Sequence, residues 1–297
     1  MKILLFGRGG QVGWELQRSL APLGELVALG SAPEGGWCGD FLDPEGVART
    51  IRAIRPDAIV NAAAYTAVDK AEAEPQRAEQ VNALTPGVIA REAAALGAWL
   101  VHFSTDYVFD GSGERPWRED DPTGPLNVYG RTKLAGEQRI AAAGPRHLVL
   151  RTSWVYGPRG GNFARTMLRL AAERERLTVV ADQHGAPTGA DLLADVTAHA
   201  LRGVMAGAAP GGIYHVAAAG ETSWYEYARF VVGKALHAGA KLKVRPEQVD
   251  PVPSSAFATA AARPHNSRLA TNRLQAAFGL VLPPWQHGVD RLLQEIL

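Results

Sequence analysis

The chain has 297 residues, 46% hydrophobic and 21% charged, the balance of a globular protein rather than a disordered or fibrous one. Thirty-one Lys and Arg against 30 Asp and Glu leave a formal charge of +1, with no basic stripe to neutralise a nucleic-acid backbone, so nucleic acid is not an expected partner. Cys38 is the only cysteine, no apolar run approaches the roughly 20 residues of a membrane span, and Met1 to Gly10 lacks a signal-peptide core; the expectation is a cytoplasmic protein without a membrane segment.

The first apolar run, KILLF (Lys2 to Phe6), leads into GRGGQVGWE, where Gly7, Gly10 and Gly13 recur every third residue ahead of a helix predicted over Val12 to Ala21. Glycines so placed allow a tight turn, close approach to a pyrophosphate and close helix packing, while the helix N-terminus offers free N–H groups to the anion. The pattern predicts a dinucleotide site. The second run, ELVAL (Glu25 to Leu29), ends at Gly30, where such sites usually carry an acid about 20 residues after the glycines to bond the adenosine ribose. No carboxylate stands there to repel a 2′-phosphate, and Arg8 and Ser31 are available to it, so NADPH is expected to be accepted at least alongside NADH.

A helix over Pro44 to Ile54, the strand DAIVNA (Asp57 to Ala62), a helix over Pro75 to Leu96, the strand WLVHFS (Trp99 to Ser104), a helix over Leu126 to Ala142 and the strand HLVLRT (His147 to Thr152) follow in turn. Strands alternating with helices predict an α/β, Rossmann-type doubly wound parallel sheet, whose ligands bind beyond the carboxyl ends of the strands. The second half alternates Gly- and Pro-rich loops with helices near Leu192 to Met205, Trp224 to Ala238 and Trp285 to Leu297. With GGIYHVA (Gly211 to Ala217) returning to the sheet, the expected division is 1–156 plus about 190–217 for the nucleotide-binding domain. A smaller C-terminal substrate-binding domain takes about 157–189 plus 218–297.

The chemistry concentrates after the fourth strand. VYGRTK puts Tyr129 and Lys133 on one helix face, and a nearby ammonium lowers a phenol's pKa, which makes the two a competent proton-transfer pair. A hydroxyl to share the substrate oxygen is offered by both Ser104 and Thr105; strand alternation points them to opposite faces, and spacing does not choose between them. Trp154, just after the fifth strand, sits where an indole can stack on a sugar. Arg263 and Arg268 in ARPHNSRL offer guanidinium clamps for a diphosphate. The histidines are scattered, and nothing suggests zinc.

With these features the chain resembles the extended short-chain dehydrogenase/reductases and, within them, the dTDP-4-dehydrorhamnose reductases, which complete dTDP-L-rhamnose synthesis. The resemblance runs through GRGGQVGWELQRSL, CGDF, NAAAYTAVDKAE, STDYVFDG, PLNVYGRTKLAGE, RTSWVYG, GNFARTMLRLA, DQHGAPTGADLLAD and ARPHNSRL. It implies that Thr105 is the hydroxyl beside Tyr129 and Lys133, and that hydride passes from a reduced nicotinamide to C4 of a keto sugar while Tyr129 supplies the proton. It further implies a cofactor on Gly10, Gln11 and Val12, with Asp40 and Phe41 near the adenine and Ala63, Ala64 and Tyr65 after the third strand. The dTDP-sugar substrate would meet Asp106 and Trp154. Some members are dimers with Mg²⁺ between carboxylates, which correspond here to Glu15, Asp191 and Glu295. Dehydratases and epimerases of the same superfamily are the enzymatic rivals. The dehydratases place an Asp-Glu pair after the threonine, whereas here Asp106 is followed by Tyr107. A non-catalytic NADP-binding regulatory subunit is the rival of another class.

Overall fold

The computed structural model describes all 297 residues. Five strands in the first half match the apolar runs to within one residue at each end: β1 (Lys2–Phe6), β2 (Glu25–Leu29), β3 (Ala58–Asn61), β4 (Trp99–Thr105) and β5 (His147–Thr152). Between them lie α1 (Gln11–Leu20), α2 (Pro44–Ile54), α3 (Val68–Ala73), α4 (Pro75–Glu79), α5 (Thr85–Leu96) and α6 (Val128–Ala143). The helical run predicted over Pro75 to Leu96 is interrupted by a π turn at Gln80–Leu84. Pro86 lacks the N–H that would bond the carbonyl of Asn82, and the wider turn accommodates its ring.

Four short strands come next, β6 (Val155–Tyr156), β7 (Leu177–Val180), β8 (His184–Gly185) and β9 (Thr188–Gly189), with α7 (Phe163–Glu173) after the first of them. Then follow α8 (Ala190–Met205), β10 (Gly212–His215), β11 (Thr222–Ser223), α9 (Trp224–His237), β12 (Val249–Val252), α10 (Asn272–Phe278) and α11 (Trp285–Ile296). β10 pairs in parallel with β5, so the return to the main sheet expected of GGIYHVA occurs. The sheet is parallel throughout and ordered β10-β5-β4-β3-β1-β2.

Strand alternation sends side chains to two cores. Ile3 and Leu5 pack with Leu16, Leu20, Leu193 and Leu201 of α1 and α8, while Leu4 and Phe6 pack with Val47, Ile51, Ile89 and Ile140 of α2, α5 and α6. Both faces are covered, as a parallel sheet requires. The chain steps from β1 to β2 on one side and then to β3 on the other, which opens a crevice at the carboxyl ends of β1 and β3. A third core joins α7, α9 and α11 to the β7-β12 pair through Met167, Val231, Val232, Leu292 and Leu293. The segment from Asn272 to Leu282, assigned above to the substrate-binding domain, departs from that division. Leu274 and Leu282 are buried in the main-sheet core with Tyr214 and Val204, because the apolar face of α10 covers β10 and the end of α8.

Candidate active site

The glycine loop leaves β1 with Gly7 at φ 86°, a conformation that favours glycine. A Cβ there would lie 2.5 Å from the Ala63 nitrogen, and one on Gly13 would lie 2.0 Å from the Gly7 carbonyl. These two glycines therefore serve backbone packing. Gly9 has nothing within 4 Å of where its Cβ would be, and Gly10 caps α1 without a side-chain acceptor. Open space in front of an uncapped helix N-terminus fits a pyrophosphate.

Two cavities meet at this loop. One of about 560 Å³ is lined by Gly7, Arg8, Gly30, Ser31, Asp40, Phe41, Ala63 and Tyr65. The other, of about 550 Å³, is lined by Gln11, Val12, Thr105, Asp106, Tyr129, Lys133 and Trp154; Gly9, Gly10, Ala62 and Ala64 line both. Every expected cofactor residue except Gly13 thus faces this continuous cleft. Beside Gly30, Arg8 donates to the Ala28 carbonyl at 3.3 Å and pairs with Glu34. In the second cavity Ser104 Oγ, Asp106 Oδ2, Thr152 Oγ1 and Ser153 Oγ are buried without hydrogen-bond partners. Unsatisfied buried polar atoms are costly unless a ligand completes them, so the lining suits polar guests.

Tyr129 and Lys133 sit one turn apart near the start of α6, which Asn127 caps by accepting the Gly130 N–H at 2.8 Å. Gly130 and Gly136 let this helix lie against the backbone carbonyls of Tyr107 and Asn82, where a Cβ would come within 2.2 Å. Thr105 ends β4, accepting the Tyr107 N–H at 3.2 Å and donating to Asp106 Oδ1 at 3.0 Å. Ser104 and Thr105 both line the cleft, but only Thr105 interacts with the Tyr129 phenol. The Tyr107 ring meets Tyr129 edge-on at 5.6 Å.

The ionisation of Tyr129 differs from the sequence expectation. Burial drives the phenol's pKa up, with Thr105 opposing and the Asp106 charge adding to the rise. Lys133 does not offset this, because its amine is bonded instead to the Phe103 carbonyl at 2.5 Å and lies 3.3 Å from His102 Nε2. Burial lowers Lys133 to about 8 and raises Asp106 to about 6.

Trp154 lines the cleft with φ 49°, strained for any residue with a side chain. Its ring stacks on Trp224 of α9 at 3.6 Å, and Gly185 beneath it has no room for a Cβ. Trp224, Asn61 and His102 were not singled out by sequence. Trp224 reads there only as the start of a helix, and the other two lie inside strands that read as core.

The structure does not bring both arginines to the cleft. Arg263 donates to Asp69 at 3.0 and 2.5 Å, and Arg268 pairs with Glu221 at 2.8 Å and donates to the Glu114 carbonyl at 3.0 Å. Neither is among the cavity-lining residues. The expected Mg²⁺ site also fails to form within the chain. Arg291 reaches Asp191 at 3.4 Å and Glu295 at 3.1 Å, with the Glu15 charge also acting on it, and Glu15 pairs with Arg18 at 3.5 Å. A guanidinium already balances these acids, and no group of three or more His, Cys, Asp or Glu is placed to hold an ion. No helix is long and apolar enough to cross a membrane.

Comparison with known proteins agrees with this geometry. The family model of the RmlD substrate-binding domain matches residues 1–297. The dTDP-4-dehydrorhamnose reductase of Escherichia coli K12 is 57% identical over 100% of this chain and 98% of its own, and that of Burkholderia thailandensis is 47% identical over 100% and 99%. The crystal structure of the Bacillus anthracis dTDP-4-dehydrorhamnose reductase in complex with NADP superposes with a TM-score of 0.88 at 35% identity, covering 99% of both chains. Matched over its whole length and more than half identical to one of these reductases, the chain belongs to the RmlD substrate-binding domain family.

Proposed function

We propose that the protein reduces the C4 keto group of dTDP-4-dehydro-6-deoxy-L-mannose (dTDP-6-deoxy-L-lyxo-4-hexulose) to give dTDP-L-rhamnose, using NADPH or NADH. The observation that carries this reading is the convergence of Thr105, Tyr129 and Lys133 on one cavity that continues into the glycine-loop pocket. The similarity to dTDP-4-dehydrorhamnose reductases over the full chain supports it.

A reduced nicotinamide, once bound in the cleft beside Tyr129 and Lys133, would supply the hydride for C4. Tyr129, held protonated by burial, gives its proton to the developing alkoxide, a base strong enough to take it. Thr105 hydrogen-bonds the same oxygen and fixes its distance from the phenol. Lys133 borders the cleft, where it holds the cofactor ribose and serves Tyr129 as proton partner. Asp106 accepts a sugar hydroxyl through its unpartnered Oδ2, and Trp154 forms the apolar wall on which the sugar ring lies. Arg8 and Ser31 flank Gly30, and Arg8, exchanging its Glu34 partner for a 2′-phosphate, lets NADPH be accepted. Tyr107, in the place where dehydratases carry their second acid, favours net reduction over elimination.

The test follows the absorbance of NADPH and NADH separately as the 4-keto sugar nucleotide is added, with the product identified by NMR. Cofactor oxidation that yields dTDP-L-rhamnose is the expected outcome. If both cofactors bind and neither is oxidised, the reading is overturned in favour of a regulatory NADP-binding role.

A further inference from the structure

Asn61 and His102 are register partners on β3 and β4, each about 1% exposed. Asn61 Oδ1 accepts the Ala63 backbone N–H at 2.9 Å, which leaves the amide nitrogen facing His102 Nδ1, also at 2.9 Å. An NH₂ group offers only hydrogens, so Nδ1 is the bare nitrogen and the neutral imidazole carries its proton on Nε2. That N–H points at Lys133 Nζ, 3.3 Å away, while the amine's other partner is the Phe103 carbonyl. Two hydrogen-bond donors facing each other repel; the contact becomes a bond only when the lysine is a neutral amine with a lone pair.

The geometry points to His102 as a positioning residue. Fixed by Asn61 in the Nε2–H tautomer, it stabilises the neutral form of Lys133 and so makes the lysine a releasable proton donor to Tyr129. This inference rests on the reading of Tyr129 and Lys133 as the proton-transfer pair. Once the Tyr129 O–H has passed its proton to the substrate alkoxide, the phenolate takes one from the Lys133 ammonium. An N–H bond breaks, the phenol O–H re-forms, and the new lone pair on Nζ accepts the His102 Nε2–H. A proton taken up from solvent through the open cleft then restores the ammonium, so that the reduction consumes one solvent proton overall.

The groups around the amine are consistent with this balance. Tyr129 and Glu137 flank Lys133 on α6, His102 faces it from β4, and Arg151 of β5 is ion-paired to Glu137. Asp106 and Tyr107 lie beyond, against Tyr129. Burial lowers both His102 and Lys133, and the lysine's charge lowers the imidazole further, so His102 stays neutral. Glu137 alone works the other way, favouring the ammonium.

Nitrogen NMR of the histidine-labelled protein, free of ligands, tests the tautomer directly. His102 is expected to show a protonated Nε2 and a bare Nδ1 that persist below the ordinary imidazole range; the other buried ring, His215, places Nδ1 against the Trp117 carbonyl at 3.1 Å and so carries its proton there, and a His215→Asn variant removes its signal. An Nδ1–H tautomer or a titrating ring would overturn the proposal. The activity arm compares pH profiles of kcat/KM for the unmodified protein and His102→Gln, whose amide can turn its carbonyl toward the ammonium. The limb belonging to Lys133 is expected to move up by about one pH unit, a tenfold change in proton affinity. A lower rate with an unmoved limb would show a merely structural histidine. A Tyr129→Phe variant that kept its turnover would instead remove the underlying pair, leaving the NMR result as a separate finding.

Discussion

Glu137 accepts both arms of the Arg151 guanidinium, at 2.9 and 2.6 Å, and both side chains are almost wholly buried beneath the catalytic helix. Arg151 also lies 5.1 Å over the Phe109 ring, which stacks on Trp117. Removing one partner leaves an uncompensated buried charge, so Glu137→Ala is expected to cost about 3–5 kcal/mol of stability. The double variant Glu137→Leu/Arg151→Leu, which buries no charge, should recover part of it. Urea unfolding of the three proteins checks this; a double variant less stable than the single one would contradict it.

Two glycines a few residues apart separate packing from binding. Gly13→Ala forces a Cβ into the Gly7 carbonyl and is expected to cost about 1–3 kcal/mol as well as most cofactor binding. Gly9→Ala meets no protein atom, so it should leave the melting temperature unchanged while weakening cofactor binding. Thermal unfolding combined with cofactor titration distinguishes the two.

Thr105→Val is expected to lower kcat by about 10²-fold, the scale of losing one preorganised donor to a developing oxyanion. Ser104→Ala should leave kcat within a factor of a few, since only Thr105 interacts with the phenol. Tyr129→Phe should lose about 10²- to 10⁴-fold with cofactor affinity retained. Steady-state rates for the three variants settle which hydroxyl belongs to the chemistry.

Asp106 has its carboxyl raised from 3.8 to about 6 by burial, with the nearby Ser267 and Thr105 hydroxyls opposing. Between these values the folded chain binds a proton that the unfolded chain has released, so this group's contribution to stability falls as pH rises from about 4 to about 6 and is level above. The stability of the unmodified protein relative to Asp106→Asn should decline across that window. KM for the sugar nucleotide should rise as pH falls through 6, where the carboxylate that accepts the sugar hydroxyl becomes protonated. Denaturation and kinetics at matched pH values check both signs.

Arg8→Ala should weaken NADPH by roughly 10- to 100-fold and leave NADH nearly unaffected, because a charge-assisted bond to a 2′-phosphate is worth about 1.5–3 kcal/mol. Equal losses for both cofactors would place Arg8 elsewhere in the binding scheme.

The main-sheet strands and the helices that follow them could be read from the sequence because continuous apolar runs such as Ile3 to Phe6 are buried on both faces, and periodicity reports burial directly. The second lobe was less legible. β6, β8, β9 and β11 are two residues long and pair across distant loops, as His184–Gly185 does with Thr222–Ser223, so no local pattern marks them. The π turn had one visible sign, Pro86 inside a helical run. Tyr129 and Lys133 declare themselves by helical spacing, whereas the Asn61 to His102 contact depends on the register of two strands. The pairings of Arg263 with Asp69 and of Arg291 with Asp191 and Glu295 are tertiary, and a resemblance carried by motifs does not disclose which charge reaches a residue first.

Trp154 belongs to the turn after β5, and Trp224 opens a helix of the second lobe, yet their rings lie 3.6 Å apart and only 13° from parallel at the mouth of the cleft. Two indoles that close share their electronic transitions, so any displacement of one lobe against the other alters an optical signal native to the molecule. The protein therefore carries its own gauge of cleft opening, readable in near-ultraviolet circular dichroism without a label.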